Sequence, residues 1–356
     1  MSKKRVLVAM SGGVDSSVAA ALVHERGDEA VGVTMKLLAR AETGFGCCGS
    51  PADVDDAKRV AERIGIAHYV SDMAEIFASK VIRPYLDAYL GGTTPNPCVE
   101  CNRSLKFGHL LALSEAWGCD TVATGHYARI QNGRLLKSLE QGKDQSYFLY
   151  SLDAKALSRA EFPVGSLSKD AVRAKARELG LKTADKPESM ETCFIPNRDV
   201  RGFVSAHAEA DAPGMAAGPI RDRQGRELGR HTGLASYTVG QRSGLGLSGP
   251  EPRYVVRIDA AANAIIVGSV DELQTMKITV GMLTWNGERK GGTFRAEVRI
   301  RHRHTPAAAS IELNNDGTAT INFDEPQRAP APGQAAVIYS GDEVVGGGTI
   351  LRGGGA

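Results

Sequence analysis

Seven consecutive residues, Ser11-Gly12-Gly13-Val14-Asp15-Ser16-Ser17, follow a short apolar run and open a helical pattern. Two glycines let a backbone turn tightly and approach an anion closely. The helix start supplies N–H groups and the positive end of its dipole, and Ser11, Ser16 and Ser17 add hydroxyls. The expected ligand is a pyrophosphate group. The turn itself matches neither GxxxxGK(S/T) nor GxGxxG, so γ-phosphoryl transfer and dinucleotide binding are not the expected chemistry there. A glycine pair alone would read as an ordinary strand-to-helix turn; the full motif in this setting reads as a nucleotide site.

The second chemistry is that of sulfur. Thr94-Pro95-Asn96-Pro97-Cys98-Val99-Glu100-Cys101-Asn102 reads as a proline-set loop leading to a helix over 105–117. Cys101 falls just before that helix with Arg103 and Lys106 nearby, and both the dipole and the cations favour a thiolate. Cys193, in the loop 189–195, is distant in sequence but expected at the same sheet edge. No second CxxC or CxxH pair accompanies the first, which disfavours zinc. Cys47 and Cys48 read as loop residues and Cys119 as core.

These residues need a scaffold, and the first 190 or so residues alternate short β-branched runs with amphipathic helices. Strands are expected at 5–10, 30–35, 67–70 and 121–124, and helices at 16–26, 53–64, 76–89, 105–117 and 169–179. Strands separated by helices imply a parallel sheet with ligands at its carboxyl edge. Beyond Pro196 the pattern changes to short alternating strands divided by Gly, Asn, Asp and Pro turns, as in Asn314-Asn315-Asp316-Gly317. The expected fold is α/β, a parallel-sheet domain over 1–200, a small β-rich central domain over 201–275 and a C-terminal β-barrel over 276–356.

The chain has 356 residues, 42% hydrophobic and 24% charged, as in globular proteins. A net charge of +2 is no footprint of a polyanion partner, so such a site must be a local patch. The apolar run near the N-terminus is too short for a signal peptide and none later approaches a membrane span, so a cytoplasmic protein with reduced cysteines is expected. The local patch is 289–304, with six Lys/Arg and two His against Glu297. Alternation through Arg295, Val298, Ile300, Arg301, His302 and Arg303 suggests a strand with one cationic face for a phosphate backbone.

The Ser11–Ser17 stretch resembles the PP-loop of the N-type ATP pyrophosphatases, which implies adenylation of a substrate oxygen with release of pyrophosphate. Over most of the chain the order SGGVDSS, TPNPxxxCN, ATGHY, KDQSYFLY, FPVG, ETCFI and YTVGQRxGLG resembles the bacterial tRNA-specific 2-thiouridylase family of the MnmA type. The resemblance implies ATP and Mg²⁺ held around Ala9, Met10, Ser11, Gly12, Gly13, Val14, Asp15, Ser16, Met35 and Gly125. It implies that Asp15 helps organise Mg²⁺ or pyrophosphate. It makes Cys193 the persulfide carrier, loaded by a sulfur-relay protein or cysteine desulfurase, and Cys101 the thiol that releases the sulfur through a transient Cys101–Cys193 disulfide. It places His126, Lys143, Asp144, Gln145, Arg301, His302 and Gln334 against tRNA, at the anticodon. The implied substrate is the wobble uridine of the tRNAs for Lys, Glu and Gln. One departure stands out: many family members carry Asp where this chain has Cys98, so a carboxylate role does not transfer. Cys98, Cys101 and Cys193 would instead supply three thiolates, a ligand set for a [4Fe–4S] cluster with one open iron.

Overall fold

The computed structural model describes residues 3–38, 50–187, 192–195, 197, 199–209, 211–287 and 291–353. Cys47, Cys48, residues 188–191 and the start of the basic stretch at 288–290 lie outside the described residues.

Strands β1 (Arg5–Ala9), β2 (Glu29–Lys36), β3 (Ala67–Asp72) and β4 (Thr121–Thr124) form a parallel sheet in the order β3-β2-β1-β4, with Ala160–Glu161 as its fifth strand. Both faces of the sheet are covered, which is why its central strands are apolar without alternation. Val6, Val8 and Met10 pack under helices α1 (Val14–Glu25) and α2 (Pro51–Ile64) and the helix Lys169–Glu178. Leu7 and Ala9 face the opposite layer, where Phe77, Val81, Tyr85, Leu105 and Leu110 come from two further helical stretches. α2 begins as its sequence dictates. Ser50 Oγ caps the N–H of Asp53 at 3.2 Å, Pro51 occupies the first turn and Gly65 ends the helix in the left-handed region.

The cysteine loop differs from expectation. Helical backbone starts at Pro97–Glu100, widens into π-type turns through Cys101–His109 and continues over Leu110–Ala116. Cys101 therefore lies inside the helix, not before it. The reason is Pro97, which takes a first-turn position where a missing N–H and a fixed φ suit a helix start.

The central module is a four-stranded sheet, ordered Tyr254–Asp259, Ala264–Gly268, Gly218–Arg221, Glu227–His231, with its own core of Ile220, Leu234, Val255, Ile265 and Val267. Six antiparallel strands then close a barrel, because Gln274–Trp285 pairs with both Ala319–Arg328 and Glu343–Ile350. A hairpin from the first part of the chain, Ala128–Gln131 with Arg134–Lys137, extends the barrel sheet through Leu136 opposite Glu343. Ala335, Val337, Tyr339 and Val344 of the barrel sit in the same core as Phe77 and Leu105, so barrel and parallel sheet are packed as one body. No helix among the described residues is long and apolar enough to cross a membrane.

Candidate functional site

At the carboxyl end of β1 the chain turns through Ser11–Gly13 into α1. Gly12 has φ +73°, and a Cβ there would lie 2.4 Å from the Asp53 carbonyl oxygen, so only glycine fits against the start of α2. Gly13 enters α1 in an extended conformation without a side-chain cap, which leaves the first-turn N–H groups for an anion. Ser16 Oγ accepts from Ser11 N and donates to the Gly13 carbonyl, both at 3.1 Å, and Ser17 Oγ donates to the same carbonyl at 2.8 Å. The turn is thus pre-formed, and it fits a nucleotide's phosphates. Ala9, Met10 and Met35 are buried behind it.

Asp15 is engaged within the fold. Lys169 Nζ reaches both of its carboxylate oxygens at 2.8 Å, and the Tyr127 hydroxyl donates to it at 2.8 Å. The carboxylate ties α1 to the helix Lys169–Glu178 and to the turn after β4. Gly125, in that turn, comes so close to α1 that a Cβ would lie 2.6 Å from the Ser16 nitrogen. Gly125→Ala is therefore expected to push the turn apart and weaken ATP-Mg binding by about tenfold or more, read by equilibrium titration.

The next residue, His126, connects this turn to the cysteine helix. Its Nε2 lies 3.3 Å from Lys106 Nζ and its Nδ1 2.7 Å from Thr124 Oγ1. Burial, and then the Lys106 ammonium, hold this imidazole well below its ordinary pKa. A neutral ring that accepts from Lys106 at Nε2 donates its Nδ1–H to Thr124. Cys98 is next in the sequence of contacts. Burial and the neighbouring Cys193 push its thiol up to about 11, against the opposing charge of Lys106. Cys98 is therefore a protonated thiol at neutral pH.

Cys193 is held at this spot by the residue after it. The Phe194 ring meets Phe77, Tyr85 and Phe203 edge-on at 5.5, 5.3 and 5.3 Å, and Tyr85 also feels Cys98. Cys101 is buried in the same apolar cluster against which Cys193 packs. Cys193 thus neighbours Cys98, and Cys101 follows Cys98 by three residues along the same helical stretch. The three thiols do not form a metal centre as placed: among the described residues no three His, Cys, Asp or Glu groups are gathered to hold an ion.

Three family profiles match in succession: a tRNA methyl transferase HUP domain over residues 4–197, a tRNA methyl transferase PRC-barrel domain over 209–269 and an aminomethyltransferase β-barrel domain over 275–350. The tRNA-specific 2-thiouridylase MnmA of Geobacter metallireducens is 44% identical over 360 residues, 98% of this chain and 97% of its own. That of Chloroflexus aurantiacus is 46% identical over 356 residues, covering 98% of each chain. The chain belongs to the tRNA-specific 2-thiouridylase family.

In this 2-thiouridylase-family chain the basic stretch departs from the expected cationic strand. The strand is Thr293–Arg299; Arg301, His302 and Arg303 lie in the connection to Ala307–Leu313, because Val298 already pairs with Ala307. Among the described residues, three of its four arginines have internal partners. Arg295 pairs with Asp324, Arg299 with Asp144 at 3.1 Å, and Arg301 donates to the Ala329 carbonyl. His302 Nε2 lies 3.1 Å from the Asp144 carbonyl oxygen, and its ring tilts over Phe148 at 4.4 Å.

The other residues expected to face tRNA also brace the site. Asp144 is buried and accepts from the Ser138 and Ser146 backbones and the Ser146 hydroxyl. Gln145 Oε1 accepts from the Tyr127 N–H at 2.9 Å, while Lys143 ends the preceding 3₁₀ turn, half-buried. Gln334 Nε2 donates to the carbonyls of Thr94 and Pro95 at 2.9 and 3.2 Å, fixing the approach to the cysteine helix. Sequence reasoning missed Tyr127, Lys169 and Arg299. Tyr127 stood inside ATGHY, but a lysine opening a polar helix gives no sign that it will be buried on a carboxylate.

Proposed function

We propose that this chain uses ATP-Mg²⁺ to adenylate O2 of the wobble uridine in the tRNAs for Lys, Glu and Gln, and replaces that oxygen with sulfur carried on Cys193. One run of contacts carries the reading. Gly125 abuts the nucleotide turn, His126 meets Lys106 on the cysteine helix, and both Lys106 and Cys193 act on Cys98. A base that is first adenylated and then thiolated needs these two chemistries side by side. The name that the relatives bear supports tRNA as the substrate.

The sequence of steps follows from the chemistry. Uridine O2 is a poor leaving group until it attacks the α-phosphorus; pyrophosphate departs from the cradle at Ser11–Ser17, and N3 gives up its proton. The terminal sulfur of a persulfide on Cys193 then adds at C2 and AMP leaves with the original oxygen. Attack of Cys101 on the Cys193 sulfur breaks the S–S bond to the transferred atom, leaving 2-thiouridine and a Cys101–Cys193 disulfide for an external thiol to reduce. A sulfur-relay protein or cysteine desulfurase supplies the persulfide, in a reducing cytoplasm. Lifting the base from its stack costs a few kcal/mol, less in an anticodon loop.

The test is mass analysis of tRNA nucleosides after incubation with ATP, Mg²⁺ and a persulfide donor (a cysteine desulfurase with cysteine), alongside ATP–pyrophosphate exchange. Formation of 2-thiouridine and exchange that depends on tRNA are expected. Exchange driven by an amino acid or ammonia would make the chain a ligase and end the proposal. A second reading, a [4Fe–4S] cluster on Cys98, Cys101 and Cys193, is favoured by the proximity of Cys98 to Cys193. Full activity in iron-free protein, with no Fe–S absorption after anaerobic reconstitution, removes it.

A further inference from the structure

Behind the nucleotide turn stands a lysine that the proposed chemistry does not use. Lys186 follows the 3₁₀ turn Lys182–Asp185, in the stretch that leads to Cys193. Its Nζ donates to the Gly12 carbonyl at 3.0 Å and to Asp53 and Asp56 of α2 at 2.7 Å each. Its own backbone is held from the other side by Arg173, which donates to the carbonyls of Ala184 and Lys186 at 2.5 and 3.2 Å. The C=O and N–H of a planar trans peptide point in opposite directions. Drawing the Gly12 carbonyl towards Lys186 therefore turns the Gly13 N–H the other way, where the uncapped first turn of α1 opens.

We propose that Lys186 is a positioning residue that sets the nucleotide turn through Gly12 and ties it to the segment bearing Cys193, so that filling of the turn by ATP is felt at that thiol. The inference rests on the reading that the turn takes ATP. The chemistry of the contact suits the task. A lysine bonded to a main-chain carbonyl and two carboxylates is pinned at three points, so a shift of the turn displaces the backbone that carries it. Burial alone would lower its pKa, but Asp53 and Asp56 raise it, so the ammonium stays charged.

The experiment follows alkylation of Cys193 by iodoacetamide, read by peptide mass analysis, with and without ATP-Mg²⁺ and in the absence of tRNA. In the parent protein saturating ATP is expected to change the alkylation rate several-fold. Lys186→Met is expected to weaken ATP binding about tenfold and to abolish the response at saturating ATP, while Lys186→Arg restores both. If the methionine form does not fold, Lys186→Gln, which keeps a donor for the Gly12 carbonyl, is expected to bind ATP and lose the response. A response unchanged in either variant overturns the proposal, as does a parent Cys193 indifferent to bound ATP. A parent that binds no ATP overturns the proposed function instead.

Discussion

Cys193→Ser is expected to abolish 2-thiouridine formation while leaving tRNA-dependent ATP–pyrophosphate exchange within about threefold of the parent, since a lost interaction made only in the second step leaves the first intact. A hydroxyl is nearly the size of a thiol but cannot carry a sulfane sulfur, so the substitution removes the chemistry and little of the packing. Phe194 remains to hold the segment through its contacts with Phe77, Tyr85 and Phe203. In the proposed reaction adenylation takes place at the turn Ser11–Ser17, which keeps its own hydrogen bonds. Cys101→Ser is expected to stop at a different point, with tRNA joined to Cys193 through sulfur, visible as a covalent adduct that a reductant releases. Thiolation that survives in the Cys193 variant, measured on purified tRNA with a persulfide donor, would refute the sulfur path.

Where sequence was a reliable guide, the physics is local. The nucleotide turn is specified by residues that touch each other, Ser11 with Ser16 and Ser17 with Gly13, so its motif can be read from one window. The parallel sheet is legible for the same reason: β1 and β2 each carry a run of mostly apolar residues without alternation, and each is followed by a helix. The cysteine helix was misjudged because Pro97 permits either a loop or a first helical turn, and packing of Leu105 and Phe107 in the core decides between them. The basic stretch was misjudged because charge composition does not say where partners lie. Asp324 is far from Arg295 in sequence, and Asp144 farther still from Arg299, yet each meets its arginine. The hairpin that joins the parallel-sheet part to the barrel was invisible for a related reason: Leu136 and Glu343 meet only once the whole chain has folded.

Arg299→Met is expected to have the largest effect on stability. The pair Arg299–Asp144, 3.1 Å apart, has side chains only 15% and 4% exposed. Removing one member of such a pair leaves the other charge buried without its counterion, which costs about 3–5 kcal/mol. For a chain of this size that corresponds to a fall in Tm of about 4–7 °C. The damage should not stay local. Asp144 also accepts from Ser138 and Ser146, and its neighbour Gln145 holds the Tyr127 backbone, whose hydroxyl reaches Asp15 at the nucleotide turn. Loosening the barrel's grip on residue 144 is thus expected to weaken tRNA binding and ATP binding together. Asp144→Asn alone removes the charge that would be stranded, so the double variant Arg299→Met/Asp144→Asn is expected to recover part of the lost stability, with a coupling of about 0.5–3 kcal/mol in the thermodynamic cycle. Strictly additive losses in thermal denaturation would mean that the two residues act separately, and that the barrel is fastened to the parallel-sheet part by apolar packing around Tyr147 and Tyr339 rather than through this pair.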